Sequence, residues 1–168
     1  VSRRAPLIAG GLLFALLATG CGVRPTDVIN GRPAVSGPAE GTGIYLLSQG
    51  QVVLAIRSMK PPSPPLSLSP AETLALLAQG PTESERSAGI TSDVPTDLVP
   101  ANVGPTADGN GVTVTVASAV KPLSPLAVDQ IACTVADALA RSAQGRSFAP
   151  VTLAGPDGTR PARTCPVT

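Results

Sequence analysis

Three helix starts are written into this chain, and they limit what the segments between them can become. Ser69-Pro70-Ala71-Glu72 places a serine N-cap, a proline at the first helical position and a glutamate at the third. In this capping box, side chain and backbone satisfy each other's orphaned donors. Leu74, Leu77 and Ala78 then share one face, and Gly80-Pro81 supplies a left-handed cap followed by a breaker. Thr82 with Glu85 repeats the box at once and predicts a short helical turn running to Gly89. Ser124-Pro125 opens a further helix to about Ala140, with Ala127, Ile131, Val135 and Ala138 along one face and Thr134 and Leu139 beside them.

The apolar runs outside these limits read as strands. Ile44–Leu47 and Val52–Ile56 flank the turn Ser48-Gln49-Gly50-Gln51. Asp97–Val99 and Val112–Val116 form a second expected pair around Asp108-Gly109-Asn110-Gly111, with Val112, Val114 and Val116 alternating onto the core face. Phe148–Leu153 makes a last strand before the turn Gly155-Pro156-Asp157-Gly158. Lys60–Leu68 is a proline-rich connector. The order ββ-α-ββ-α-β predicts an α+β fold, a five-stranded, mostly antiparallel sheet with two helices packed on one face. Tyr45 and Phe148 are its expected large aromatic core residues.

The first 20 residues have another layout. Arg3-Arg4 precedes an apolar stretch from Ala5 to Ala18 that ends at Thr19-Gly20-Cys21. A basic start, an apolar centre and small residues at the exit are the parts of an export signal. The apolar stretch is shorter than the roughly 20 residues that span a bilayer as a helix. Ala18-Thr19-Gly20-Cys21 resembles the bacterial lipobox, which implies lipid on the Cys21 sulfur and a cell-membrane anchor on the extracytoplasmic face. Two acyl chains hold where one does not, at about 0.8 kcal/mol per buried CH₂. Residues 21–43, rich in Gly, Pro, Ser and Thr, read as a flexible tether, and 44–168 as the folded domain with a C-terminal tail.

Composition removes whole classes of chemistry. The chain has no histidine, so a Ser-His-Asp triad, a Cys-His pair and His-ligated zinc are excluded. A formal charge of +1 and 2% aromatic residues offer neither the basic patch nor the stacking platform that nucleic acid needs. When Arg3 and Arg4 leave with the leader, the 11 acidic residues slightly outnumber the basic ones that remain. No metal site is expected, because Asp108-Gly109-Asn110-Gly111 is too short for a calcium loop. Ser118-Ala119-Val120-Lys121 matches S-x-x-K, but its serine lies at a strand end and Pro122 follows the lysine. Glu83, Glu85, Asp129 and Asp137 read as solvent-facing carboxylates on helices. No catalytic residue and no cofactor are expected.

With Cys21 taken by lipid, Cys133 and Cys165 are an even pair in an oxidising compartment, which reads as a disulfide. Cys133 lies off the apolar face of its helix, where a C-terminal tail crossing the back can reach it. Closing a loop of about 33 residues contributes about 3–4 kcal/mol in the chain-entropy account. Free thiols are the alternative, and no C-x-x-C spacing favours a redox-active pair.

The segment Leu76–Arg86, with Gly80-Pro81-Thr82, Glu83 and Glu85, continues through Gly89 to Pro95. A valine-rich strand and a helix carrying Gln130-Ile131 and Thr134 follow it. This succession resembles the GerMN domain of spore germination and sporulation proteins, over about residues 44–158. The resemblance implies an envelope-exposed α/β module that assembles with another envelope protein rather than an enzyme. The motif positions Gly80, Pro81, Thr82, Glu85, Gly89, Pro95, Gln130 and Thr134 are then structural. A module binding a small ligand or cell-wall fragment at an open sheet face is the other expectation.

Overall fold

A computed structural model of the chain describes residues 41–58, 68–142 and 149–167. The expected leader, Cys21, the tether up to residue 40, connector residues 60–67 and Phe148 lie outside them. The elements run β1 (Thr42–Ser48), β2 (Gln51–Arg57), α1 (Pro70–Ala78), α2 (Glu83–Ser87), β3 (Ile90–Thr91) and β4 (Pro100–Pro105). They continue with β5 (Val112–Val116), α3 (Pro125–Arg141), β6 (Val151–Gly155) and β7 (Gly158–Thr159).

All three helices start where the caps predict. Ser69 and Thr82 each close a reciprocal capping box, with Glu72 and Glu85, and the Ser124 hydroxyl accepts from the Ala127 N–H. Gly80 and Gly89 follow α1 and α2 at φ 72° and 80°, a left-handed conformation that a side chain resists. The β1–β2 hairpin turns on Gln49 and Gly50, both left-handed, as a two-residue hairpin requires.

The α+β class holds, but the single five-stranded sheet with two helices does not. Among the described residues, seven strands form two sheets, ordered β2-β1-β3 and β4-β5-β6-β7. The division has a local cause in β1. Beyond its two-residue pairing with β3, its open edge is taken by α3: the Tyr45 N–H donates to Thr134 Oγ1 at 3.0 Å, and the Tyr45 carbonyl accepts from Gln130 Nε2 at 2.9 Å. A strand edge satisfied by a helix has no groups left for another strand.

The second sheet also departs from the mostly antiparallel expectation, since β5 and β6 pair in parallel with Val114 opposite Leu153. The helix α3 connects them, and parallel neighbours need such a crossover. The strand expected at Asp97–Val99 begins instead at Pro100, because the chain turns at the bond from the Leu98 N–H to the Pro95 carbonyl. Pro100 and Pro105 argue against a strand in sequence, yet β4 lies at a sheet edge, where proline is tolerated.

One aliphatic cluster joins both sheets. Ile44 and Leu46 of β1, Leu74 and Leu77 of α1, and Val112, Val114 and Val116 of β5 meet Ile131 and Val135 of α3 and Leu153 of β6. Tyr45 is half-buried and stands outside this cluster, contrary to its expected core role. The aromatic contribution is replaced by branched side chains, each worth roughly 1.5–3 kcal/mol when fully buried.

Candidate functional site

The motif residues serve as fasteners, in two separate groups. In the first, Arg57 at the end of β2 reaches the loop between α1 and α2. Its guanidinium donates to Glu85 Oε1 and, at 3.1 Å, to the Gly80 carbonyl. The Pro81 carbonyl accepts from Arg86 Nη1 at 2.7 Å. Glu85 Oε2 also accepts from the Thr82 N–H at 2.7 Å. The Arg57 hydrogen bond is the main reason its carboxyl titrates at about 2, well below the ordinary 4.5. Glu85 is therefore an ion-pair partner in the fold and not a freely solvated carboxylate, whereas Glu83, paired with Arg86, remains exposed as expected.

The second group centres on α3. Gln130 and Thr134, one helical turn apart, hold both backbone polar groups of Tyr45. The Gln130 amide also donates to Ser92 Oγ at 3.2 Å, and its oxygen accepts from the Asp93 N–H at 2.9 Å. Asp93 in turn accepts from the Ser124 hydroxyl that caps α3. Gln130 and Thr134 are fully buried, so each polar group must find a partner, and each does. Pro95 contributes the turn carbonyl that accepts from Leu98.

The back of α3 carries the C-terminal tail. Cys133 and Cys165 form the disulfide, with Cα atoms 4.5 Å apart. One turn earlier, Asp129 accepts two hydrogen bonds from the Arg163 guanidinium at 2.6 and 3.1 Å. Arg163 also exchanges both backbone bonds with Val151 at 2.8 Å, so the tail runs along the edge of β6. Asp129 is 6% exposed, and its expected solvent-facing position is corrected: the tail covers it. Asp137 is also no free surface carboxylate, because Arg141 pairs with it at 2.9 Å beside Gly43. Burial first, and the Asp137 charge second, raise the nearby Tyr45 phenol above its usual value.

The remaining polar motif residues also bind their own chain. Ser118 Oγ donates to the Asp97 carbonyl at 2.6 Å and accepts from the Val99 N–H at 3.3 Å. The N–H groups of Val120 and Lys121 point at Asp157, which lowers that carboxyl. Asp108 accepts from Thr106 and Asn110 within its own turn. Among the described residues, no group of three or more Cys, Asp or Glu is placed to hold a metal.

Arg57, Arg163 and Gly43 carry much of this architecture and escaped sequence reasoning. Their partners lie 28, 34 and nearly 100 positions away, so no spacing rule reaches them. The surface keeps two apolar residues on one strand exposed: Leu54 at 49% and Ile56 at 38%, both on β2. No known protein-family model, curated protein or solved structure matches the chain.

Proposed function

We propose that this chain is a lipoprotein held at the extracytoplasmic face of the cell membrane through Cys21, and that the GerMN-like domain from residue 44 onward is a non-catalytic assembly module for another envelope protein. The Cys133–Cys165 disulfide carries this reading, since such bonds persist outside the reducing cytoplasm. The leader and its cysteine agree with that compartment. Gln130, Thr134, Glu85, Asp129, Ser118 and Asp157 are committed to the fold through buried or paired contacts, which suits a rigid display scaffold. The tether gives that scaffold reach beyond the lipid headgroups.

Fractionation of cells expressing the full chain tests the anchor: the parent sediments with membranes, and Cys21→Ala is released. Persistence of Cys21→Ala in the membrane fraction defeats the anchor. Crosslinking in intact cells tests the docking, where a discrete adduct with an envelope protein is expected. Absence of any protein adduct, together with retention of a small ligand through purification, defeats the assembly role.

A further inference from the structure

Four strand edges border the two sheets, and three of them are closed. At the β4 edge stand Pro100, Pro105 and a register shift between Pro100 and Asn102. Past two-residue β7 the tail continues along β6 through Arg163, and past two-residue β3 the edge of β1 is filled by Gln130 and Thr134. Prolines, bulges, short strands and covering segments are how proteins block unwanted pairing.

Among the described residues, the β2 edge has none of these. It runs seven residues, Gln-Val-Val-Leu-Ala-Ile-Arg, with a single charge at its end. Its outward groups follow from register. The Tyr45 N–H and carbonyl face α3, away from β2, and Tyr45 is paired with Leu54. In an antiparallel ladder, Leu54 then turns its own N–H and carbonyl outward, and Val52 and Ile56 share that parity. No described group hydrogen-bonds to these three backbones. Their side chains lie together on the face that leaves Leu54 and Ile56 exposed.

We propose that β2 is a self-docking edge, at which two copies of this chain pair antiparallel about a two-fold axis through Leu54. The occupant follows from the sequence of the edge itself. Centred on Leu54, the register sets Val52 opposite Ile56 of the second copy and Leu54 opposite Leu54. Every outward N–H of one strand then meets an outward carbonyl of the other. The same register makes Val52, Leu54 and Ile56 of both copies one continuous apolar stripe. Arg57 falls opposite the uncharged Gln51, and Glu85 already neutralises it, so no like charges meet. A one-residue slip loses this match, because it opposes inward-turned to outward-turned groups. Seven residues a side fall short of the roughly 20–30 a side of standard stable complexes. The interface therefore dissociates on dilution and gains from confinement of copies to one surface. The inference goes beyond the reading of the chain as a module that assembles with another envelope protein, and adds a second copy of the chain as a partner.

The test uses the full chain carrying Cys21→Ser, in which the native disulfide leaves an introduced cysteine as the free thiol. Leu54→Cys sits on the axis and is expected to form an intermolecular disulfide at least about tenfold faster than Gln51→Cys. Two copies of residue 51 would stand about 20 Å apart at roughly 3.4 Å per residue. Equal rates at the two positions, or no crosslink at Leu54→Cys, overturn the proposal. Sedimentation equilibrium supplies a second readout: the Cys21→Ser parent shows a concentration-dependent dimer, and Leu54→Pro stays monomeric. Proline there removes an outward donor and spares the β1–β2 ladder, which a retained melting temperature verifies. A parent that remains monomeric at its highest soluble concentration overturns self-pairing. The assembly reading itself fails only on the in-cell crosslinking.

Discussion

Thr134 shows how one side chain can decide where a sheet stops. Its hydroxyl accepts the Tyr45 N–H at 3.0 Å in a fully buried position. Thr134→Val keeps the shape and orphans that donor, which costs about 1–3 kcal/mol. Urea unfolding should show a lower midpoint at unchanged slope, and the Tyr45 amide should exchange its hydrogen faster. An unshifted midpoint would mean that the N–H has another partner. Gly43 is a residue-scale constraint of a different kind, because a Cβ there would collide with Asp137 Oδ2 and come within 2.9 Å of Arg141 Nη2. Gly43→Ala must push the Asp137–Arg141 pair aside, and the expected loss is about 1–2 kcal/mol, within the usual range for overpacking. Thermal unfolding no lower than the parent's would show that the pair yields freely. Gln130 and Thr134 stood together in the sequence only as positions of an expected resemblance, and nothing in their spacing names the β1 backbone as their partner.

At the scale of elements, the helices were readable and the sheet borders were not. Caps act within four residues, so Ser69, Thr82 and Ser124 declare their helices locally. The β4 strand was hidden by its prolines, which exclude a central strand and permit an edge one, and edge or centre is a tertiary fact. The junction of β2 with the α1–α2 loop shows the same limit. Glu85 is visible as a capping residue, but its hold on Arg57 is not, and that hold sets its titration. The depressed carboxyl contributes stability that is fully present above about pH 4.5 and is lost as pH falls toward about 2. Glu85→Gln should therefore cost about 1 kcal/mol near neutrality, a screened value for a partly sheltered pair. The difference from the parent should shrink across this acid window. Parallel stability curves for the two proteins from pH 6 down to 2 would contradict the ion pair's role.

For the whole molecule, the number of strands in each sheet depended on which groups reach Tyr45, and the direction of β6 depended on α3 serving as a crossover. Neither is a local property, so the order of elements was legible while their partition into sheets was not. The tail is where the separate parts become one system, because Asp129 and Cys133, a turn apart on α3, hold Arg163 and Cys165, two residues apart on the tail. Two fasteners acting on one segment cannot be independent. With the disulfide intact, the tail is kept over Asp129, so Arg163→Ala leaves a buried carboxylate without its partner. With the disulfide reduced, the tail can lift and water can reach Asp129, so the same substitution does less harm. Reduction alone removes the closure of a loop spanning 32 positions, a loss of about 3–4 kcal/mol in the chain-entropy account. The expected result is a non-additive cycle: Arg163→Ala lowers the melting temperature more in the oxidised protein than in the reduced one. Equal shifts in the two redox states would show that the ion pair and the disulfide secure the tail separately, and that Asp129 owes its burial to the helix packing instead.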